Sequence, residues 1–138
     1  MGVIKYLVLK KLSGKEHYLR ALFDYLVGNE SPSELERKYN INRRLIVSMK
    51  QRMREKNSHG MEIAKRAIPV ILETPMPQLT LALAVNVAVN GGPGFYCRLC
   101  RTIYYNIYPE DHILKKHQIA LKYYAVLVKM QLRRVPLE

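Results

Sequence analysis

The sequence predicts a mainly α protein with a helical N-terminal unit, an apolar middle segment, and a small hairpin-and-helix module that runs into an extended helix. Three observations predict it. Residues 13–56 hold two serine-headed helix starts and a third start at Asn42. Residues 58–97 are greasy and carry 2 Lys+Arg against 2 Asp+Glu, whereas residues 1–57 carry 13 against 6 and residues 98–138 carry 8 against 3. The only two cysteines, Cys97 and Cys100, precede His112 and His117 at close spacing.

Taken in order, residues 2–11 (GVIKYLVLKK) are β-branched and aromatic enough to predict a short strand. Ser13 with Glu16 three residues on reads as a capping box, so a helix follows with Tyr18, Leu22, Tyr25 and Leu26 on one face, stopped by Gly28-Asn29. Ser31-Pro32-Ser33-Glu34 is a second start, with Pro at the first helical position, where its missing N–H costs nothing. Asn40 interrupts that helix. Asn42 caps a third one, which runs to about Lys56, and Asn57 to Gly60 read as a linker. MEIAKRAIPVILE looks helical, with Pro69 as a kink or break.

The next stretch, QLTLALAVNVAVN, gives two readings. Leu79, Leu81, Leu83, Val85, Val87 and Val89 alternate as in a strand. Thr74-Pro75 with Gln78, the alanines and the Asn90-Gly91 stop favour a buried helix, which is the reading preferred here. Residues 90–94 form a turn or hinge, FYCRLCRTIYY a small hairpin, and Pro109 opens one long helix through about Arg134. The organisation expected is a unit at 1–57 and a second at 58–138.

Residues 31–56 carry the clearest positional pattern. Leu35, Tyr39, Ile41, Ile46 and Met49 have the spacing at which two short helices cross and share a core, and Met53 continues the stripe. Asn40 sits where the sharp turn needs a left-handed residue. The opposite face of the third helix shows Arg43, Arg44, Val47, Ser48, Gln51 and Arg52. This segment of about 26 residues resembles the helix-turn-helix of transposase-like proteins and of the promoter-reading region of sigma factors. It departs from them at Glu36, where those motifs place a small residue, so that side chain must point outwards or the helices must cross less closely. The resemblance implies duplex DNA binding, with Arg43, Arg44, Ser48 and Gln51 as base readers and Arg52, Lys50 and Arg37 as phosphate contacts.

Cys97-x2-Cys100-x11-His112-x4-His117 supplies two thiolates on a hairpin and two imidazoles on a helix, enough to enclose one tetrahedral zinc. It resembles the Cys-Cys-His-His zinc finger over residues 95–117, with Phe95 and Tyr104 where that family places core aromatics. Here the loop is one residue shorter than usual. Pro109 stands where the family has leucine, which leaves Tyr108 or Ile107 to fill that hole. Glu110 and Asp111 at the helix start suit the helix dipole but repel phosphate, which favours a structural zinc over the alternative of a base-reading finger. A redox cysteine pair is the alternative, but it wants a helix just after the first Cys, and Thr102 to Tyr105 read as strand. The bland reading of Tyr104, Tyr105 and Tyr108 is finger core; the other is a set of stacking platforms for RNA.

In the final helix Leu114, Leu121, Val128 and Val135 recur every seven residues, with His117, Tyr124 and Gln131 between them. That stripe packs on the middle segment or pairs with a second copy to make a homodimer. Lys115, Lys116, Lys122, Lys129, Arg133 and Arg134 then face solvent or phosphate.

The fold expected is thus mainly α, with an N-terminal tri-helical helix-turn-helix, an apolar middle segment, and a C-terminal ββα-like zinc finger with an extended helix. A net charge of +12 fits a polyanionic partner. The start lacks a secretory signal, and the Leu79–Val89 run is too short to span a bilayer. A cytoplasmic, nucleoid-associated protein is expected, without membrane or small-molecule partners. His17 and His59 have no partners at ligand spacing. Asp24, Glu30, Glu62 and Glu73 are scattered, so no catalytic group is expected. The readings are a DNA-binding transcriptional regulator, an adaptor or assembly factor on a nucleoprotein complex such as RNA polymerase, the ribosome or a mobile element, or an RNA binder. The pairing of a small helix-turn-helix with a lone finger looks like proteins of archaea and their viruses and plasmids.

Overall fold

Residues 2–11, expected as a strand, form most of helix α1 (Val3–Leu12). Val3, Tyr6, Leu7, Val8, Leu9 and Leu12 are buried around its circumference. A helix apolar all round belongs in the middle of a protein, and a short apolar run cannot tell that case from a strand. The structure, a computed structural model, describes residues 2–28, 30–73, 83–89 and 92–134. Among them α2 (Glu16–Val27), α3 (Pro32–Tyr39), α4 (Arg43–Lys56) and α5 (Gly60–Glu73) follow, then β1 (Ala84–Val89), β2 (Gly92–Cys97), β3 (Thr102–Tyr105), α6 (Pro109–Lys116) and α7 (Gln118–Arg134). The expected tri-helical N-terminal unit is therefore five helices, with α1 and α5 added to the α2–α4 set.

Ser13 is not the N-cap of α2. It closes α1, donating its hydroxyl to the Leu9 carbonyl, while Gly14, at φ 82°, turns the chain into α2. The starts of α3 and α4 form as expected. Ser31 accepts the Glu34 N–H at 3.3 Å, and Asn42 accepts the Arg44 N–H at 2.8 Å. Asn40 takes the left-handed conformation, φ 55° and ψ 48°.

One apolar core joins both halves of the chain. Leu7, Leu12, Leu22, Met53, Ile68 and Leu121 belong to it, with Leu83 and Ile113 entering from the module. A smaller cluster of Ala21, Leu35, Ile41 and Ile46 holds α2, α3 and α4 together. Between α4 and α5 the backbones nearly touch: a Cβ on Gly60 would lie 1.7 Å from the Met53 carbonyl oxygen. Gly60 is thus the first residue of α5 rather than linker, and α5 continues through Pro69.

Residues 84–89 are a strand, against the preferred helical reading. β1, β2 and β3 form an antiparallel sheet in that order, with Ala84 opposite Cys97 and Val85 opposite Tyr96. Ala84 is small because it packs against Phe95 and Cys97 in a third cluster, a tertiary demand that helix propensity does not register. Gly92 to Gly94, expected in the turn, pair within β2. Thr74, Pro75, Gln78, Leu79, Leu81, Asn90, Gly91 and Val135 lie outside the described residues.

The expected single C-terminal helix is two, broken at His117 (φ −130°, ψ 37°). Leu121 and Val128 of the seven-residue stripe are buried and Leu114 packs beside them, against the core that α1 and α5 provide. Leu114, Leu121, Tyr124 and Val128 of the stripe offered for a second copy thus pack in the chain's own core.

Candidate metal centre and the exposed face of α4

Cys97 ends β2, Cys100 lies in the following turn, His112 is in α6 and His117 is the break between α6 and α7. Their ligand atoms all lie within 4.8 Å of one another. The His117 Nε2 is 3.4 Å from the Cys97 Sγ and 3.3 Å from the Cys100 Sγ, and the His112 Nε2 is 3.5 Å from the Cys100 Sγ. A tetrahedral zinc with bonds of ~2.0–2.3 Å sets its ligands about 3.3–3.8 Å apart. Three of the ligand pairs fall at that separation and all four donors lie within 4.8 Å, so the cluster of two sulfurs and two imidazoles is consistent with a zinc-binding site. Burial pushes the Cys97 thiol above its ordinary value, so binding there must displace a proton. Burial holds both imidazoles below theirs, with His117 and Lys116 adding to the effect on His112, which keeps them in the neutral, ligating form.

The helix break has a reason at this site. Residues five apart on a regular helix point ~140° apart, so His112 and His117 cannot reach one ion from an unbroken α-helix. Around them, the ring of Phe95 stacks on Tyr104 at 5.5 Å, and His112 lies 4.3 Å from Tyr104, centroid to centroid. The hole beside Pro109 is not filled by its neighbours. Tyr108 is 72% exposed and Ile107 is exposed too, whereas Pro109 itself is buried. Tyr105 is also exposed, so of the three tyrosines only Tyr104 packs in the module's core.

Glu110 docks the module onto the helices. It pairs with Lys15 at 2.8 Å and with Lys10 at 3.6 Å. Burial alone would raise its pKa, but the hydrogen bond and charge of Lys15, with Lys10, hold the carboxyl below its ordinary value. Lys10, the farther partner, is itself pushed down by burial despite Glu110. Lys15 is therefore the main counterion. We expect Glu110→Gln to lower stability by about 1 kcal/mol, the scale of a partly solvated pair. The loss is complete above the ordinary Glu value of ~4.3 and fades as pH falls through the depressed one, a trend that urea melts at several pH values will show.

Ile46, Met49 and Met53 bury one side of α4. Arg43, Arg44, Val47, Ser48, Gln51 and Arg52 line a shared concave surface with Pro32 and Ser33 of α3. Ser33 and Glu55, which also lines it, escaped the sequence reading. Glu36, the departure noted above, caps α4 by accepting the Arg43 N–H at 2.9 Å, and its carboxylate lies 3.6 Å from the Arg43 Nε. Arg43 also donates to the Ser33 hydroxyl at 3.0 Å. Gln51 donates to Glu55 at 3.3 Å, and the Arg52 guanidinium lies 6.0 Å from the Tyr6 ring centre. Lys50 turns away from this surface, its ammonium 4.8 Å from the Tyr25 ring centre, and Arg37 is exposed on α3. Asp24, dismissed as scattered, ties α3 to α2 by accepting from Tyr39 and pairing with Lys38 at 3.2 Å. Among the described residues no helix is long and apolar enough to cross a membrane. The chain matches no protein-family model, and no curated protein or solved structure matches it.

Proposed function

We propose that this protein binds duplex DNA with the exposed side of α4, acting as a transcriptional regulator whose zinc centre is structural. The observation that carries this reading is one helix with two opposite faces. Its buried side is anchored by Ile46, Met49 and Met53, and its outer side sets Arg44, Ser48, Gln51 and Arg52 in a row beside the first turn of α3. A helix of this width enters the major groove, where Arg and Gln meet guanine and adenine edges. In this arrangement α3, Asn40 and α4 act as the helix-turn-helix. On this reading Arg44, Ser48 and Gln51 meet bases and Arg52 and Arg37 meet phosphates, whereas Lys50, turned toward Tyr25, is dropped from the contacts. Arg43, engaged with Ser33 and Glu36, divides its role between holding α3 against α4 and contacting DNA. Four protein ligands close a tetrahedral zinc and leave no place for a reactive water, so the reading includes no catalysis. The Arg43→Ala/Arg44→Ala protein is expected to stay folded by circular dichroism and to bind a duplex about tenfold or more weakly in an anisotropy titration. Unchanged affinity would remove α4 from the interface.

A further inference from the structure

The face of α7 turned away from the core carries a second apolar stripe, one the sequence reading passed over. Ile119, Tyr123, Val126 and Met130 are all exposed, Ile119 to 86%. Their spacing of four, three and four is that of a coiled-coil seam. The four residues fall within an arc of ~60°, narrower than the apolar face of ~100° or more on a helix that buries one side broadly. α7 is already fixed from behind by Leu121, Tyr124 and Val128, so the seam is presented on a rigid support.

From this we propose that α7 is a docking helix for an acidic amphipathic helix of another protein. The charges select that partner. In the heptad register of the seam, Lys122 and Lys129 sit at the flanking position that faces a partner helix, and both are exposed. No acidic residue occurs in α7. Antiparallel pairing with a second copy sets Lys122 against Lys129 twice, and like charges at those positions disfavour the pair. A partner with apolar residues on its seam and glutamates on its flanks meets both the stripe and the lysines. An anionic lipid surface matches the charge but not the width of the seam, since a helix lying in a membrane buries a broad face. Met130 suits a docking site, because its unbranched side chain adapts to different surfaces. This surface is separate from α4, and the inference does not rest on DNA binding.

The test uses the zinc-loaded full chain and a designed three-heptad peptide with leucine on its seam and glutamate on its flanks. Calorimetry is expected to show salt-sensitive binding to the chain, and NMR shift changes should centre on residues 119–130. Val126→Glu, at an exposed site that leaves the fold intact by circular dichroism, abolishes it. Lys122→Glu/Lys129→Glu weakens it by about tenfold and transfers the preference to a peptide with lysine flanks. Absence of binding to the acidic peptide, or binding that Val126→Glu leaves unchanged, overturns the proposal. So does self-association of the chain through the stripe, or binding to phosphatidylserine vesicles in place of the peptide.

Discussion

A Cys97→Ser protein is expected to lose its zinc and, with it, the ordered module from Leu83 to His117. Leu83, Ile113 and Glu110 fix the module to the helices, but little besides the metal holds its sheet and turn in shape. Its own core is Ala84, Phe95 and Cys97 with Cys100 and Tyr104 at the edge, and two of these five are metal ligands. Its longest strand pairing joins only six residue pairs. Structural zinc in peptides of this size supplies on the order of 10–16 kcal/mol, far more than such a small core can replace. The effect reaches α7, because His117 is both a ligand and the joint between α6 and α7. Helices α1–α5 have their own contacts and should persist. The expected result is loss of bound zinc in a metal assay, collapse of the Phe95 and Tyr104 ring signals in NMR, and most of the helical circular dichroism retained. Zinc retained at one per chain would show that the cluster is not the binding site.

Gly60→Ala is expected to be the most damaging single methyl addition in the helical part. The added carbon meets the Met53 carbonyl oxygen at 1.7 Å, and a backbone atom cannot swing aside as a flexible side chain does. α4 and α5 must separate, and Met49 and Met53, which anchor α4 in the core, are then pulled out of it. Loss of about 3 kcal/mol follows, the upper end of what overpacking usually costs. A protein of ordinary stability approaches its unfolding limit at that cost. Urea denaturation measures it directly, and a change below ~1 kcal/mol would mean the helices are not seated as described.

These two sites differ in how far the sequence revealed them. The zinc ligands were legible because their chemistry needs specific residue types at fixed gaps, and all four converge. The caps at Ser31 and Asn42 and the left-handed Asn40 were legible for a similar reason: each is a local event. Gly60 was not legible, because its importance is a contact with residue 53 on another helix. α1 was misread as a strand because its apolar residues have no polar face to reveal a helical period. β1 was misread because Ala84 answers to Phe95 and Cys97 rather than to its own neighbours. The break at His117 was implied by the five-residue gap between the two histidines, a signal that geometry contained and pattern matching overlooked. In α7 the buried heptad was visible, but which of two stripes faced the core depended on where α1 and α5 lie. Glu36 looked like an obstacle to close helix packing and is a cap for α4.

Duplex binding by α4 is tested most directly by comparing binding of the zinc-loaded protein to a random duplex and to a single-stranded RNA at two salt concentrations, with Arg43→Ala/Arg44→Ala alongside. Duplex binding through α4 requires preference for the duplex, affinity that falls steeply as salt rises, and a clear loss in the substituted protein. Equal weak binding to both nucleic acids, or preference for the RNA, would contradict it.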